Sequence, residues 1–479
     1  MKNISLKANF IFQLVYELLL LLLPFATSPY IARVLGADCL GLYSYTYTVA
    51  MYFVLISMLG IRNYASRVIA KVRHRTVELN VVFSALLNLH IFSSIISLLL
   101  YFIYAYYFSV NKSLSYIQGI VVISALFDVS WFFYGLENFR TTVIVSTIAK
   151  ILTVISVFCF VKSSNDLEIY CLIMALGHLM SQIPLCFLLK KSVSYVRVDF
   201  SDIITHIKPL LVLFIPFIAI SLYKYMDKLM LGYMCDMTQL GLYENAEKVS
   251  SLPNTLIAAF GVVMLPRISN LISLHEDDKV DMYMLYSVRY IMCISIGITF
   301  GMMAVGVDFA PLFWGADFGE SGNLIVGLSL TIPFLAMGNI LRTQYLIPQQ
   351  QDRIYIYSVV CGAIVNVISN IILIPYMQAW GAVIGTIFAE ATVCLMQIFS
   401  VLHKLPIIAY IKEIMPMFGI GLLMLIIEMT VFDVQIYTWL EFIFKVSIGF
   451  FIYTILSVIY LNAINDSLLF KVKEYLFIK

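Results

Sequence analysis

The sequence predicts an all-α protein that crosses a membrane many times. Three observations predict this fold class: 62% of the 479 residues are hydrophobic, only 12% are charged, and the apolar residues are grouped in long runs. A soluble domain has about 25% charged residues. The composition therefore excludes a soluble enzyme, a secreted disulfide protein and a nucleic-acid-binding protein. The mean hydropathy of +0.94 agrees with this conclusion.

About fourteen segments are long and apolar enough to span a bilayer, for which a helix needs about 20 mostly apolar residues. The first is too long for the apolar core of a cleaved signal peptide, so we interpret it as the first transmembrane helix. The predicted spans are 10–31, 40–60, 79–108, 116–136, 141–161, 168–190, 209–231, 247–266, 285–308, 323–342, 354–375, 380–402, 413–432 and 441–462.

The basic residues predict how these spans are oriented. If the N-terminus is cytoplasmic, 21 of the 30 Lys and Arg fall in cytoplasmic segments, six fall within spans, and the outside loops hold only Arg33, Lys112 and Lys162. Short cytoplasmic loops are enriched in Lys and Arg. We therefore expect both termini to be cytoplasmic, and we expect the connector 191–208 to include an interfacial helix.

Several kinds of site are not indicated by the sequence. The eight Cys form no C-x-x-C pair and no Cys/His cluster with zinc spacing. The chain also lacks the glycine-rich lysine motif that binds ATP phosphates. We expect no metal, no cofactor and no ATP-driven motor on this chain.

A short internal repeat predicts two lobes. The sequence LGLY at residues 40–43 returns at 240–243, and each copy follows a helix that contains a proline. Six spans separate the copies, which predicts two six-helix lobes related as parallel repeats, with a cleft between them. The predicted lobes are residues 1–195 and 196–405, and residues 406–479 hold the last two spans and a cytoplasmic tail.

Three stretches resemble bacterial polysaccharide flippases. They are residues 30–36 with 40–43 and 59–61, residues 225–232 with 241–243 and 246–248, and residues 366–375 with 380–382. The resemblance, which covers almost the whole chain, points to the O-antigen flippase (Wzx-like) branch of the multidrug/oligosaccharidyl-lipid/polysaccharide superfamily. It implies that an undecaprenyl-diphosphate-linked sugar unit is moved across the bacterial inner membrane. It also implies contact with membrane lipids, coupling to protons or sodium ions, and partners among the polysaccharide-assembly membrane proteins.

Basic side chains within the spans are candidates for binding a diphosphate. A charge at the centre of a spanning helix costs roughly 2.5–3.5 kcal/mol, so it faces a partner or a watery cavity. Lys and Arg both suit phosphate, and the 31 Tyr supply stacking faces for sugars. An alternative is that the charges pair with one another and hold the helices together. The candidate substrate-binding residues are Lys224, Lys228, Lys150, Arg289 and Arg33.

Carboxylates within the spans are candidates for ion coupling or for charge pairs. A low-dielectric cleft favours the neutral form of a carboxyl group, which makes proton exchange feasible. A satisfied hydrogen bond to a neighbouring helix is an equally valid interpretation. The candidates are Glu17, Asp128, Asp227 and Glu390. We interpret Glu428, in the thirteenth span, as a packing or interfacial residue.

Two further functions remain open. A drug or metabolite antiporter of the same superfamily would bind organic cations in an acidic cleft, whereas the seventh span is net cationic because Lys224 and Lys228 flank Asp227 on one helical face. A membrane polysaccharide polymerase or glycosyltransferase would carry its chemistry on a sizeable loop, and all predicted loops are short. A flippase that is not an enzyme is the favoured prediction.

Overall fold

A computed structural model shows that the chain is α-helical, as predicted. It describes residues 6–190, 192–432 and 438–466, without the side chains of residues 6–22, 215–217, 219–220 and 222–224. Over these ranges there is no strand, and twelve helical runs are long and apolar enough to cross a membrane. The first run contains parts of the first two predicted spans. The chain is a multi-pass membrane protein.

The helices separate into two compact bodies, residues 1–241 and 242–479. The helices that begin in the first body are α1 Leu6–Met58, α2 Ile61–Val72, α3 Thr76–Tyr107, α4 Lys112–Leu126, α5 Ser130–Gly135, α6 Phe139–Phe160, α7 Leu167–Leu189, α8 Phe200–Met234 and α9 Met237–Ser250. Those of the second body are α10 Leu252–Ser273, α11 Asp277–Trp314, α12 Gly319–Ser329, α13 Thr331–Leu341, α14 Asp352–Met377, α15 Ala379–Val401, α16 Ile407–Val431 and α17 Trp439–Ala463.

The first two predicted spans form one helix with a kink in place of a loop. Within α1, Gly36 has φ 77° and ψ 172°, a conformation outside the helical region. A residue without Cβ adopts this positive φ at little cost. The outside connection predicted between residues 31 and 40 is therefore a single bend, and Arg33 lies one turn before it.

The connector 191–208 also differs from a separate interfacial helix. Residues 200–208 are the first turns of α8. The Tyr64 hydroxyl lies 2.8 Å from Nδ1 of His206, which ties α2 to this end of α8. Partial burial lowers the pKa of His206. α2 is an amphipathic helix whose apolar face is buried in the first body.

The two copies of the repeated motif touch each other within the first body. A Cβ placed on Gly41 would overlap the backbone carbonyl of Met237, and one placed on Gly241 would overlap the carbonyl of Ala37. The contact is reciprocal, because Met237 stands 200 residues after Ala37, as Gly241 does after Gly41. The glycines are needed here because the two backbones approach more closely than any side chain allows.

Replacing Gly41 with Ala is expected to destabilise the protein by about 1–3 kcal/mol, the usual cost of overpacking. The new methyl group meets backbone atoms, which cannot move aside as a flexible side chain would. Thermal unfolding in detergent measures the effect as a lower Tm. Gly301→Ala in α11 is the matched control, because nothing lies within 4 Å of a Cβ at that glycine. Equal Tm values for the two variants would contradict the prediction.

Close glycine contacts also organise the second body. A Cβ on Gly381 would meet the backbone of Ile374, and one on Gly385 would meet the amide of Asn370, so α14 and α15 pack tightly. Gly297 lies against the ring of Tyr453. The G-x-x-x-G pattern of residues 297–301 predicts close packing at Gly301 as well. This prediction is wrong, because nothing lies within 4 Å of a Cβ at that glycine.

Candidate functional site

The predicted cationic stripe lies on α8, where it packs against the second half of α1. Asp227 is buried, with 7% of its surface exposed, and Lys228 beside it is half-buried. Both make further interactions. The side chains of Lys224 and Glu17 lie outside the described residues. The described part of the stripe therefore places an acidic and a basic group side by side within the span.

Aromatic side chains surround Asp227. Tyr225 of α8 meets Tyr52 of α1 edge-on, with ring centroids 6.0 Å apart, and Tyr52 lies within electrostatic reach of Asp227. The hydroxyl of Tyr52 is buried and has no hydrogen-bond partner within the described residues. A buried hydroxyl without a partner is costly, so this group is available to a polar ligand that reaches the α1–α8 interface.

Lys150 of α6 lies beside a second aromatic set. The Tyr47 hydroxyl is 3.3 Å from Nε2 of His178 in α7, and Lys150 is within electrostatic reach of His178. α6 and α7 are held close at this level because Gly177 packs directly on Thr153. Lys150, which the sequence places within the fifth span, is thus close to an imidazole that in turn lies against a phenol of α1.

The rings next to Lys150 continue as a stack along α1. Tyr43 and Tyr47, one turn apart, have centroids 5.7 Å apart and planes 12° apart. The ring of Tyr170 meets Tyr43 edge-on at 4.8 Å. We call Tyr43, Tyr47, Tyr170 and His178 the aromatic set. Its combination of flat apolar faces and polar tips suits a sugar, whose ring is apolar on its faces and hydroxylated at its edges.

Asp128 is an ion-pair partner in the structure. It lies in the short break between α4 and α5, where its Oδ1 accepts the backbone N–H of Ser130 at 3.0 Å. The guanidinium of Arg62 donates to Oδ2 at 2.7 Å. The carboxylate therefore joins the start of α2 to the α4–α5 break, and the geometry favours the charge-pair interpretation of this residue.

Arg289 is also engaged by carboxylates. Its guanidinium donates two bonds to Glu413 of α16, at 2.7 and 2.8 Å, and a third to Asp466, which follows α17. Tyr290 donates to the same Asp466. A bidentate pair of this kind is strong and geometrically specific. Arg289 thus fastens α11 to α16 and to the end of α17, as the alternative interpretation of the intramembrane charges predicts.

The remaining candidates lie apart from these groups. Glu390 of α15 is buried, with 8% exposed, and Thr386 one turn before it lies 3.4 Å from the Tyr243 hydroxyl. Arg33 is exposed. In the described part of the chain, the first body therefore contains Arg33, Lys150, Asp128, Asp227 and Lys228, and the second contains Arg289 and Glu390.

Comparison with known proteins places the chain in a family. A family model described as "Polysaccharide biosynthesis protein" matches residues 6–272, more than half of the chain. The chain belongs to this family. The match confirms the resemblance that residues 30–43 and 225–248 indicate, because both stretches lie within it.

Two relatives of the chain are named as candidate transporters. A Shigella dysenteriae protein named as a candidate O-antigen transporter is 27% identical over 385 residues, which are 79% of this chain and 96% of that protein. A second candidate O-antigen transporter, from Escherichia coli K12, is 23% identical over 57% of this chain and 67% of that protein. The prediction of a Wzx-like member of the superfamily is confirmed.

The fold agrees with this family assignment. The solved structure of the lipid II flippase MurJ in an inward closed conformation matches with a TM-score of 0.79. The match covers 95% of this chain and 100% of MurJ, at 14% sequence identity. The chain therefore shares the predicted all-α fold with MurJ.

Sequence reasoning missed the partners that hold several charges in this family member. Glu413, Asp466, Arg62 and Asp308 all form ion pairs with residues that are distant in the sequence. Each lies near a predicted span end, where a charge needs no special explanation. An Arg or Lys within a span predicts that a carboxylate lies nearby in the fold. The hydropathy pattern does not show which helix carries that carboxylate.

Proposed function

We propose that the protein flips an undecaprenyl-diphosphate-linked oligosaccharide, an O-antigen or similar repeat unit, from the cytoplasmic to the periplasmic leaflet of the bacterial inner membrane. Transport follows an alternating-access cycle. The observation that carries the proposal is the 27% identity to a candidate O-antigen transporter over 96% of that protein's length. The likeness in fold to a lipid flippase supports it.

The substrate-binding residues in this proposal are four of the basic residues that the sequence predicts, all of them in the first body: Lys224, Lys228, Lys150 and Arg33. Lys228, with Lys224, binds the diphosphate from α8, and the buried Tyr52 hydroxyl adds a donor next to it. Lys150 and the aromatic set bind the sugar residues nearest the diphosphate. Arg33 attracts the anionic head group at the outer side. Arg289 is left out of the proposed site, because two carboxylates hold its guanidinium.

Ion coupling is the second part of the proposal. A proton or sodium gradient drives the cycle, and Asp227, Glu390 and Glu17 are the predicted coupling groups. Asp128 serves as a charge-pair residue with Arg62. The long apolar helices contact membrane lipids, and other polysaccharide-assembly membrane proteins are the expected partners.

Deleting the gene in its host is expected to abolish surface polysaccharide and to cause lipid-linked oligosaccharide to accumulate facing the cytoplasm. The measurement is the sensitivity of that oligosaccharide to a membrane-impermeant glycosidase added to spheroplasts. Protection in the deletion strain, and digestion after complementation, support a flippase. Oligosaccharide that accumulates but is digested from outside would instead place the defect after flipping, as for a polymerase.

The predicted orientation has a separate test. In a variant without native cysteines, Asp236→Cys, in the exposed link between α8 and α9, is expected to react with an impermeant maleimide added outside the cell. Ser194→Cys, in the exposed link between α7 and α8, is expected to react only after the membrane is permeabilised. Both side chains are accessible in the structure. The reverse labelling pattern would place the termini on the outer side.

A further inference from the structure

A cluster of three charged residues lies in the second body, outside the proposed substrate site. Lys445 of α17 is buried, with 5% exposed, and its Nζ is 2.8 Å from Oδ2 of Asp308 in α11. Glu428 of α16 is 1% exposed and lies within electrostatic reach of Lys445. These three helices pack against one another in pairs. The cluster therefore brings two carboxyl groups to one ammonium group.

The hydrogen bonds within this cluster are unequal. Asp308 accepts from Lys445, whereas Oε2 of Glu428 is buried and has no hydrogen-bond partner among the described residues. Its other oxygen, Oε1, lies directly against Gly449. Burial of a carboxylate oxygen without a donor disfavours the ionised form of the group. The environment of Oε2 is therefore the one expected of a carboxylic acid that carries its proton on this oxygen.

A second cluster on the same helices satisfies both of its carboxylates. Arg289, Glu413 and Asp466 also combine one cation with two carboxylates across α11, α16 and the end of α17. There, both carboxylates accept hydrogen bonds, and Tyr290 supplies an additional donor. All members of that cluster can therefore stay ionised together. In the Glu428 cluster, by contrast, Lys445 donates to Asp308, and Oε2 of Glu428 accepts no hydrogen bond within the described residues.

The cluster also lies close to the ends of its helices. Glu428 is three residues before the end of α16, Asp308 is six before the end of α11, and Lys445 is six after the start of α17. At a rise of about 1.5 Å per residue, these distances are about 5–9 Å. In the predicted orientation these ends face the periplasm, from which a proton gradient supplies protons. Glu441, the nearest charged residue on α17, is exposed and caps the start of that helix.

We propose that Glu428, Asp308 and Lys445 form a further proton-binding site, in addition to the predicted coupling groups Asp227, Glu390 and Glu17, that couples transport to the proton gradient. In the protonated state of this site, Lys445 pairs with Asp308 and one proton resides on Oε2 of Glu428. When that proton leaves to water, Lys445 moves between the two carboxylates and the cluster changes from neutral to −1. The pairing that links α17 to α11 then weakens in favour of α16. The inference rests on the proposed function only in requiring that transport be ion-coupled.

Infrared spectroscopy of the purified protein tests the protonated carboxyl group without any substrate. At neutral pH, wild type is expected to show the carbonyl band of a protonated carboxylic acid, which shifts in D₂O. One component of the band should be lost in Glu428→Gln and retained in Glu441→Gln, the exposed control on α17. A band that is unchanged in Glu428→Gln, or absent from wild type, would overturn the proposal.

Transport in proteoliposomes tests the coupling. The probe is the lipid-linked oligosaccharide extracted from the deletion strain, with a pH-sensitive dye inside the vesicles. Wild type is expected to flip it at least tenfold faster with an imposed pH gradient, Glu428→Gln should lose this acceleration, and Glu428→Asp should retain part of it. A Glu428→Gln variant that still responds to the gradient like wild type overturns the proposal. If wild type flips nothing, the proposed function fails, and the infrared result still decides whether Glu428 holds a proton.

Discussion

Replacing both Lys224 and Lys228 with alanine is expected to abolish surface polysaccharide while the protein still accumulates in the membrane. The two residues lie one helical turn apart on α8, and Lys228 follows Tyr225, whose ring meets Tyr52 of α1, by three residues. Without them α8 loses two positive charges and keeps Asp227, whose negative charge would repel the diphosphate. Because charge-assisted hydrogen bonds to phosphate are among the strongest in proteins, we expect export to fall at least tenfold.

Two controls separate a binding role from a structural one. Lys224→Arg with Lys228→Arg keeps both charges and should retain most export. Lys248→Ala in α9 removes a half-exposed lysine whose ammonium lies 3.4 Å from Glu244, and should leave export unchanged. Export is read from surface polysaccharide and protein abundance from immunoblots of membranes. Normal polysaccharide in the double alanine variant would disprove the assignment of the site to α8.

Replacing Lys445 with alanine is expected to destabilise the second body by about 3–5 kcal/mol, as breaking a buried ion pair does when one charge remains. The ammonium of Lys445 is buried and lies 2.8 Å from Oδ2 of Asp308. Its loss leaves two carboxyl groups facing each other between three packed helices. The effect is measured as a lower Tm in detergent and as reduced membrane abundance.

The double variant Asp308→Asn with Lys445→Met distinguishes the pair from a simple loss of packing. Replacing both partners of a buried ion pair with neutral groups of similar size is often nearly neutral. We therefore expect the double variant to regain most of the stability that Lys445→Ala loses. If Lys445→Ala unfolds at the wild-type temperature, the pair contributes nothing and the prediction fails.

The spans could be predicted from the sequence because each one is a local property. A helix that crosses lipid satisfies its own backbone hydrogen bonds, so composition within some 20 residues decides its existence. Local pattern does not show how consecutive spans are joined. The kink at Gly36 and the extension of α8 back to Phe200 depend on how the helices pack. The close packing predicted at Gly301 failed for the same reason: a small residue permits contact without ensuring it.

The candidate site was only partly predictable, because pairing between helices is a long-range property. Lys150 and Lys228 were identified from the cost of placing a charge in lipid. That cost does not show which residue pairs with each charge. Arg289 met the same criterion, yet its carboxylate partners stand 124 and 177 residues later in the chain. The aromatic set is a similar case. The spacing of Tyr43 and Tyr47 places two rings on one face of α1, but only the fold brings Tyr170 and His178 to them.

The two charge clusters on α11 bear on how the protein is made. Arg289 and Asp308 enter the membrane long before their partners Glu413, Lys445 and Asp466, which are synthesised 124, 137 and 177 residues later. Until then α11 carries Arg289 and Asp308 without these partners. Both lie towards the ends of the predicted span 285–308, where a charge costs less than at the bilayer centre. The two clusters can form only after α16 and α17 have been translated, so these C-terminal helices complete the packing of the second body.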